Sequence, residues 1–154
     1  MYPLFLALHN LLRWLVIIAA IIVLVRTLRG LRSRRPWTAL DDRMGQLYTV
    51  SMDIQLLVGL VLFFVLSPLT RMALTNMAAA MSDATMRFFV VEHFPYMLVA
   101  VILAHIGRVR VRKAAEDRAR FRQTLIWMGL SFLIVLIAIP WPFLSYGRGL
   151  LPSF

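Results

Sequence analysis

The sequence predicts an all-α integral membrane protein, an up-and-down four-helix bundle with both termini outside. Three observations lead there. The 154-residue chain is 61% hydrophobic, well above a soluble domain, and its apolar residues fall in blocks long enough to cross a bilayer. Of the 17 basic residues, six lie between Arg26 and Arg43 and seven between Arg108 and Arg122, both between apolar blocks, where the positive-inside rule places cytoplasmic loops. The connections are short, as they are when consecutive helices pack as antiparallel neighbours. The whole chain, 1–154, is read as one domain.

The first span is residues 4–25, an apolar run interrupted only by His9, Asn10 and Arg13. Arg26, Arg29, Arg32, Arg34 and Arg35 follow at once, so the helix runs inward from an outer N-terminus. No basic region precedes the apolar run and no small-residue cleavage pattern follows it, so a removed signal peptide is not expected. Pro36 breaks the helix, Trp37 is a candidate anchor at the inner interface, and Asp41 and Asp42 suit the N-terminus of the next helix.

The second span, 47–66, runs outward and ends at Ser67-Pro68. Gln46, Thr49 and Asp53 share one helical face, expected to point into the bundle because a polar stripe faces lipid at high cost. A short interfacial helix over about 70–82 is expected in the outer loop. The third span, 88–107, runs inward with Pro95 in its first turns, where proline disturbs a helix least. The fourth, 125–144, runs outward to Pro140-Trp141-Pro142-Phe143, with Trp141 in the outer aromatic belt.

Composition excludes several functions. There is no cysteine, which removes disulfides, thiolate metal sites, iron–sulfur clusters and covalent haem attachment together. The net charge of +10 sits in the inner loops, so it reads as a topology signal and as contact with anionic lipid rather than as a nucleic-acid surface. No nucleophile, hydrolase metal site or nucleotide loop is present, so an electron-transfer or accessory subunit is expected rather than a stand-alone enzyme.

The third span carries two of the three histidines and a glutamate. Ionisable groups at membrane depth are retained where they pair, bind or move charge. His9 and His93 each lie five residues into a helix descending from outside, roughly 7 to 8 Å below the outer boundary at 1.5 Å per residue. Two imidazoles at one level of a bundle are suited to the axial positions of a b-type haem. Arg13 and Arg87 are then candidate partners for its propionates, and Ala100, Ala104 and Gly107 leave room for close packing or a flat ligand. The same histidines also fit an interfacial, hydrogen-bonded role near water.

His105 lies twelve residues beyond His93, about 120° around the helix, so the two do not serve stacked sites on one face. Asp53 enters about 10 Å from the inner side, which makes Asp53 and His105 a candidate inner polar pair; His105 snorkelling to the headgroups is the alternative. Arg13 and Glu92, at levels about 6 Å apart, are a candidate buried ion pair. Met72, Met77, Met81 and Met86 in the outer loop offer soft thioether ligands for Cu(I), or serve as flexible apolar filler.

His9 with Leu12-Arg13-Trp14, the run from Gln55 to Leu60, Phe88-Phe89 with Val91-Glu92-His93, and the closing Ile139-Pro140-Trp141-Pro142-Phe143 resemble a group of small four-helix bacterial membrane proteins described as cytochrome b-like. That group is distantly similar to four-helix haem-b and copper-resistance membrane families. The resemblance implies histidine ligands at His9 and His93. Asp53 stands where it leads one to expect a third ligand, and a carboxylate is a poor axial ligand, so one outer haem is implied rather than two.

The function expected is thus an inner-membrane haem b protein relaying electrons from a quinol or a membrane partner. A haem-free structural subunit of a larger respiratory or photosynthetic complex is the alternative, and copper handling is the third. Its partners would be lipid, other membrane proteins or further copies of the chain.

Overall fold

The computed structural model describes residues 1–151, and all the regular secondary structure among them is helical. Four helices are long and apolar enough to cross a membrane, at 2–33, 39–66, 84–113 and 117–138, with mean hydropathies of 2.4, 2.2, 1.8 and 1.7 over their most apolar windows. Their outward side chains are apolar, as with Ile18, Leu57, Ile102 and Leu133, the pattern of a bundle whose solvent is lipid.

Helix α1 (Tyr2–Ser33) starts with Pro3 in its first turn, where the missing N–H costs nothing. Its buried face, Arg13, Val16, Ala20, Val23, Thr27 and Gly30, repeats every three or four residues. The α1–α2 turn is held by Asp41. Its carboxylate accepts from Arg26, Arg35, the Thr38 hydroxyl and the Thr38 N–H. That hydrogen bond to the carboxylate raises the Arg35 guanidinium above its ordinary pKa.

Helix α2 (Ala39–Val61) turns Tyr48, Met52, Gln55 and Gly59 inward, at i, i+4, i+7 and i+11. The stripe expected to point inward does not do so as a unit. Gln46 is exposed, Asp53 is partly exposed, and only Thr49 is buried, bonding carbonyls of its own helix. The bundle axis lies about a third of a turn from that stripe, on the side of Tyr48, which gives its hydroxyl a partner in Ser131. A π turn, Leu62–Leu66, closes the helix.

The connection between the second and third long helices is broken where one interfacial helix was expected. Ser67, Asn76 and Asp83 each turn a side chain onto the backbone N–H three residues on, starting α3 (Pro68–Thr75), α4 (Met77–Ser82) and α5 (Ala84–Arg87). A second π turn, Phe88–Glu92, joins α5 to α6 (His93–Lys113). Pro95 therefore lies well inside a continuous helix, not in its first turns. The adjacent π turn accommodates the bond that its missing N–H cannot make.

Helix α7 (Asp117–Ala138) begins and ends earlier than the span expected at 125–144, because Ile139 leaves the helix ahead of Pro140. Helix α1 packs on α2 and α7, and α6 packs on α7 and α2. This places α1 and α6 on a diagonal, with the histidines that share a level facing one another across it.

Candidate functional site

Near the end of the bundle carrying the chain's first residues, a cavity of about 130 Å³ opens between α1, α2, α6 and the end of α7. Leu6, Val16, Leu56, Phe63, Met97 and Val135 give it an apolar wall, and His9, Asn10, Arg13, Gln55, His93 and Arg148 supply polar groups. A few convergent polar groups on an apolar wall are the usual composition of a ligand site.

The two imidazoles face each other with ring centroids 6.3 Å apart and planes inclined at 70°. A direct N–H···N hydrogen bond would bring the centroids to roughly 5.2 Å, from about 2.9 Å between nitrogens and about 1.15 Å from each nitrogen to its ring centre. Metal–nitrogen bonds of about 2 Å on both sides would set them roughly 6.3 Å apart. The observed spacing is too long for a direct hydrogen bond; it fits the second case and equally an edge-to-face contact between two rings, which spans about 4.5 to 7 Å.

Each histidine is held from behind. His93 follows the π turn, whose extra residue per turn sets the rotation of everything after it, and its ring lies 5.7 Å from Phe88 and 6.3 Å from Phe89. Its Nδ1 is 2.8 Å from the carbonyl of Ala138. A carbonyl only accepts, so Nδ1 carries the proton and Nε2 is left with its lone pair. The carbonyl is free because α7 ends at Ala138 and leaves its last acceptors without helical partners. Such a tie fixes tautomer and ring direction in histidine metal ligands.

His9 rests against Gly59, where a Cβ would lie 3.2 Å from its Cε1. Gln55 donates to the backbone carbonyl of His9 at 3.1 Å and locks α2 to α1 at that level. Among the described residues, the buried side-chain atoms without a hydrogen-bond partner are His9 Nδ1, Arg13 Nε and Gln55 Oε1. All three residues line this cavity, which concentrates unmet polar capacity at one place.

Arg13 lines the cavity as expected, but its Nη2 donates to the Leu150 carbonyl at 2.6 Å, and the Trp14 indole joins it at 3.0 Å. The ion pair expected between Arg13 and Glu92 does not form. Glu92 binds Arg87 instead, five residues earlier on the same continuous helix, at 3.0 Å. Arg87 is thereby drawn off the cavity, and Arg148 takes the place expected for it, lining the cavity with its guanidinium 4.3 Å from the Phe89 ring centre.

Asp53 and His105 do meet, with Oδ1 2.8 Å from Nε2, but on the outer surface of the α2–α6 seam. Their side chains are 39% and 52% exposed. Ala100, Ala104 and Gly107 pack against α7 rather than around a ligand; a Cβ on Gly107 would stand 2.8 Å from Trp127 Cβ. Met86 packs beside Ala73, Ala80 and Val90, whereas Met72, Met77 and Met81 are exposed. Gly59, Gln55 and Arg148 were missed from sequence. Gln55 carried a signal, a lone polar residue in the apolar part of α2, two positions from Asp53 and so on nearly the opposite face, and Gly59 another, a gap one turn further along the face of Gln55. No family model, no curated protein and no solved structure matches this chain.

Proposed function

We propose that His9 and His93 hold a haem b in this cavity and that the chain relays single electrons across part of the inner membrane. The donor would be a quinol or a membrane partner, and the acceptor would lie outside. The observation that carries the reading is the pair itself: two imidazoles from diagonal helices at a spacing that fits metal ligation, one with its tautomer already fixed. Held by His9 and His93, haem b would supply one-electron chemistry.

The chain's own residues divide the work. His9 and His93 bind, the Ala138 carbonyl orients His93, and Gly59 gives His9 space. Arg13 and Arg148 place cations at the polar end, where carboxylates of a ligand would sit. Leu6, Val16, Phe63 and Val135 exclude water, and a broad flat group entering the cavity of about 130 Å³ would displace Met97, the most adaptable of the wall residues.

Absorption spectra of the purified protein, oxidised and reduced, test the reading. A low-spin b-type spectrum that disappears in His9→Ala and in His93→Ala is expected. Colourless protein after expression with ample haem would overturn it.

One observation favours the second reading, a haem-free subunit of a larger complex. The Asp53–His105 pair faces outward at membrane depth, where a partner's transmembrane helix would give its remaining polar atoms something to bond.

A further inference from the structure

A second cavity, of about 380 Å³, opens at the opposite, basic end of the bundle, where the α1–α2 connection meets the ends of α6 and α7. We propose that it receives the phosphate of an anionic glycerophospholipid. The inference is independent of the haem reading and rests on charge, wall chemistry and position.

Charge comes first. Arg112 and Arg120 line the cavity, and so does one acid, Asp42. The Asp42 charge is already answered by Arg108, at 3.0 Å. Arg120 meets Asp117 only at 3.7 Å, and Arg112 has no ion-pair partner among the described residues. Arg120, whose Nε also donates to the Ala114 carbonyl at 3.1 Å, is thus loosely paired and Arg112 unpaired, while the one acid lining the cavity is already engaged. The two basic clusters place thirteen Lys and Arg at this end against Asp41, Asp42, Glu116 and Asp117, so the local potential favours an anion.

The walls say which kind of anion. Val111 is buried, and the Trp37 ring lies on Phe121 with centroids 4.9 Å apart. Apolar surface beside two arginines fits a phosphate attached to hydrocarbon better than a free ion. Trp37 is also the residue type found where headgroups meet acyl chains. Basic pockets between helix ends on the cytoplasmic side are where anionic headgroups are taken up.

The test is native mass spectrometry of the full chain released from micelles containing equal phosphatidylglycerol and phosphatidylcholine. Wild type is expected to retain phosphatidylglycerol preferentially. The double variant Arg112→Gln/Arg120→Gln should weaken that retention by on the order of tenfold or more, each basic contact near the surface being worth about a fivefold change. Arg32→Gln/Arg118→Gln removes the same charge from this end without touching the cavity and should retain the lipid as wild type does. Circular dichroism of both variants separates lost binding from lost folding, and should the first pair unfold, Trp37→Ala replaces it with the same expectation. Equal losses in both arginine doubles, no preference between the lipids, or inorganic phosphate binding as tightly as the lipid would each overturn the proposal.

Discussion

Gly59 on α2 lies so close to His9 on α1 that a β-carbon there would stand 3.2 Å from the imidazole Cε1. An alanine asks the ring to give by a few tenths of an ångström; a leucine asks it to leave. Gly59→Ala is expected to keep the stability of the bundle within about 1 kcal/mol, the helix gaining what the contact loses. Gly59→Leu should lower the haem-to-protein ratio several-fold, read from the pigment absorbance of purified protein, while the helical circular dichroism stays. A Gly59→Leu protein with full pigment would show that His9 is not confined by α2.

Asp53 and His105 form an interhelical hydrogen bond on the outside of the bundle, across the seam where α2 and α6 touch least. Hydrogen bonds of this kind average about 0.6 kcal/mol in membrane bundles and reach about 1.7. Asp53→Ala and His105→Ala should therefore each destabilise the folded protein in detergent by about 0.5 to 1.5 kcal/mol. A double-mutant cycle should return most of that as coupling, and the pigment spectrum should not change. Additive effects in the cycle would mean that the two side chains act separately, each through lipid or a partner.

The four long helices were legible because apolar run length and the placement of arginines are one-dimensional signals. The shared level of His9 and His93 was legible too, because depth along a helix is a count of residues. Rotation was harder. The inward face of α2 follows Tyr48, Met52, Gln55 and Gly59, and the polar stripe containing Asp53 points elsewhere; about a third of a turn separates them, and only packing decides it. Arg87 was assigned to the cavity on depth alone, although Glu92 offered it a nearer partner along its own helix. Arg148 was out of reach, since nothing in a short tail says that it folds back over the bundle.

That fold-back depends on Arg13. Its guanidinium and the Trp14 indole both donate to the carbonyl of Leu150, so the tail is tied to α1 by two hydrogen bonds, one of them charge-assisted. Arg13→Met keeps the stem and removes the donors. Hydrogen exchange at Gly147 to Leu151 should accelerate by about tenfold or more, since a bond from a charged donor contributes about 1.5 to 3 kcal/mol. Glu92→Gln serves as the comparison. Its bond to Arg87 joins half-exposed side chains, so the change should cost less than about 1 kcal/mol and leave the tail protected. Equal protection in wild type and Arg13→Met would mean that the other ties, the stacking of Tyr146 on Phe88 at 4.0 Å and the Arg148 N–H bond to the Pro140 carbonyl at 3.0 Å, hold the tail without Arg13.

Tyr48, Ser131 and Ala100 make a buried chain of two hydrogen bonds through the middle of the bundle, from α2 to α7 to α6. The Ser131 hydroxyl gives its one proton to the Ala100 carbonyl at 2.7 Å, so at 2.8 Å the Tyr48 hydroxyl is the donor to Ser131. The order fixes an asymmetry. Tyr48→Phe removes a donor from Ser131 Oγ but leaves the Ser131 to Ala100 bond intact, a loss of about 0.5 to 1.5 kcal/mol. Ser131→Ala breaks both bonds and strands the Tyr48 hydroxyl, which is fully buried, at a cost of about 1 to 3 kcal/mol. Chemical unfolding in detergent should therefore rank Ser131→Ala as the more damaging change. The double variant should be close to Tyr48→Phe plus the single Ser131–Ala100 bond, because with phenylalanine in place no buried hydroxyl is left unpaired. If Tyr48→Phe proved the worse of the two, the chain would run the other way, with Ser131 donating to the Tyr48 oxygen and the phenol giving its proton to another group.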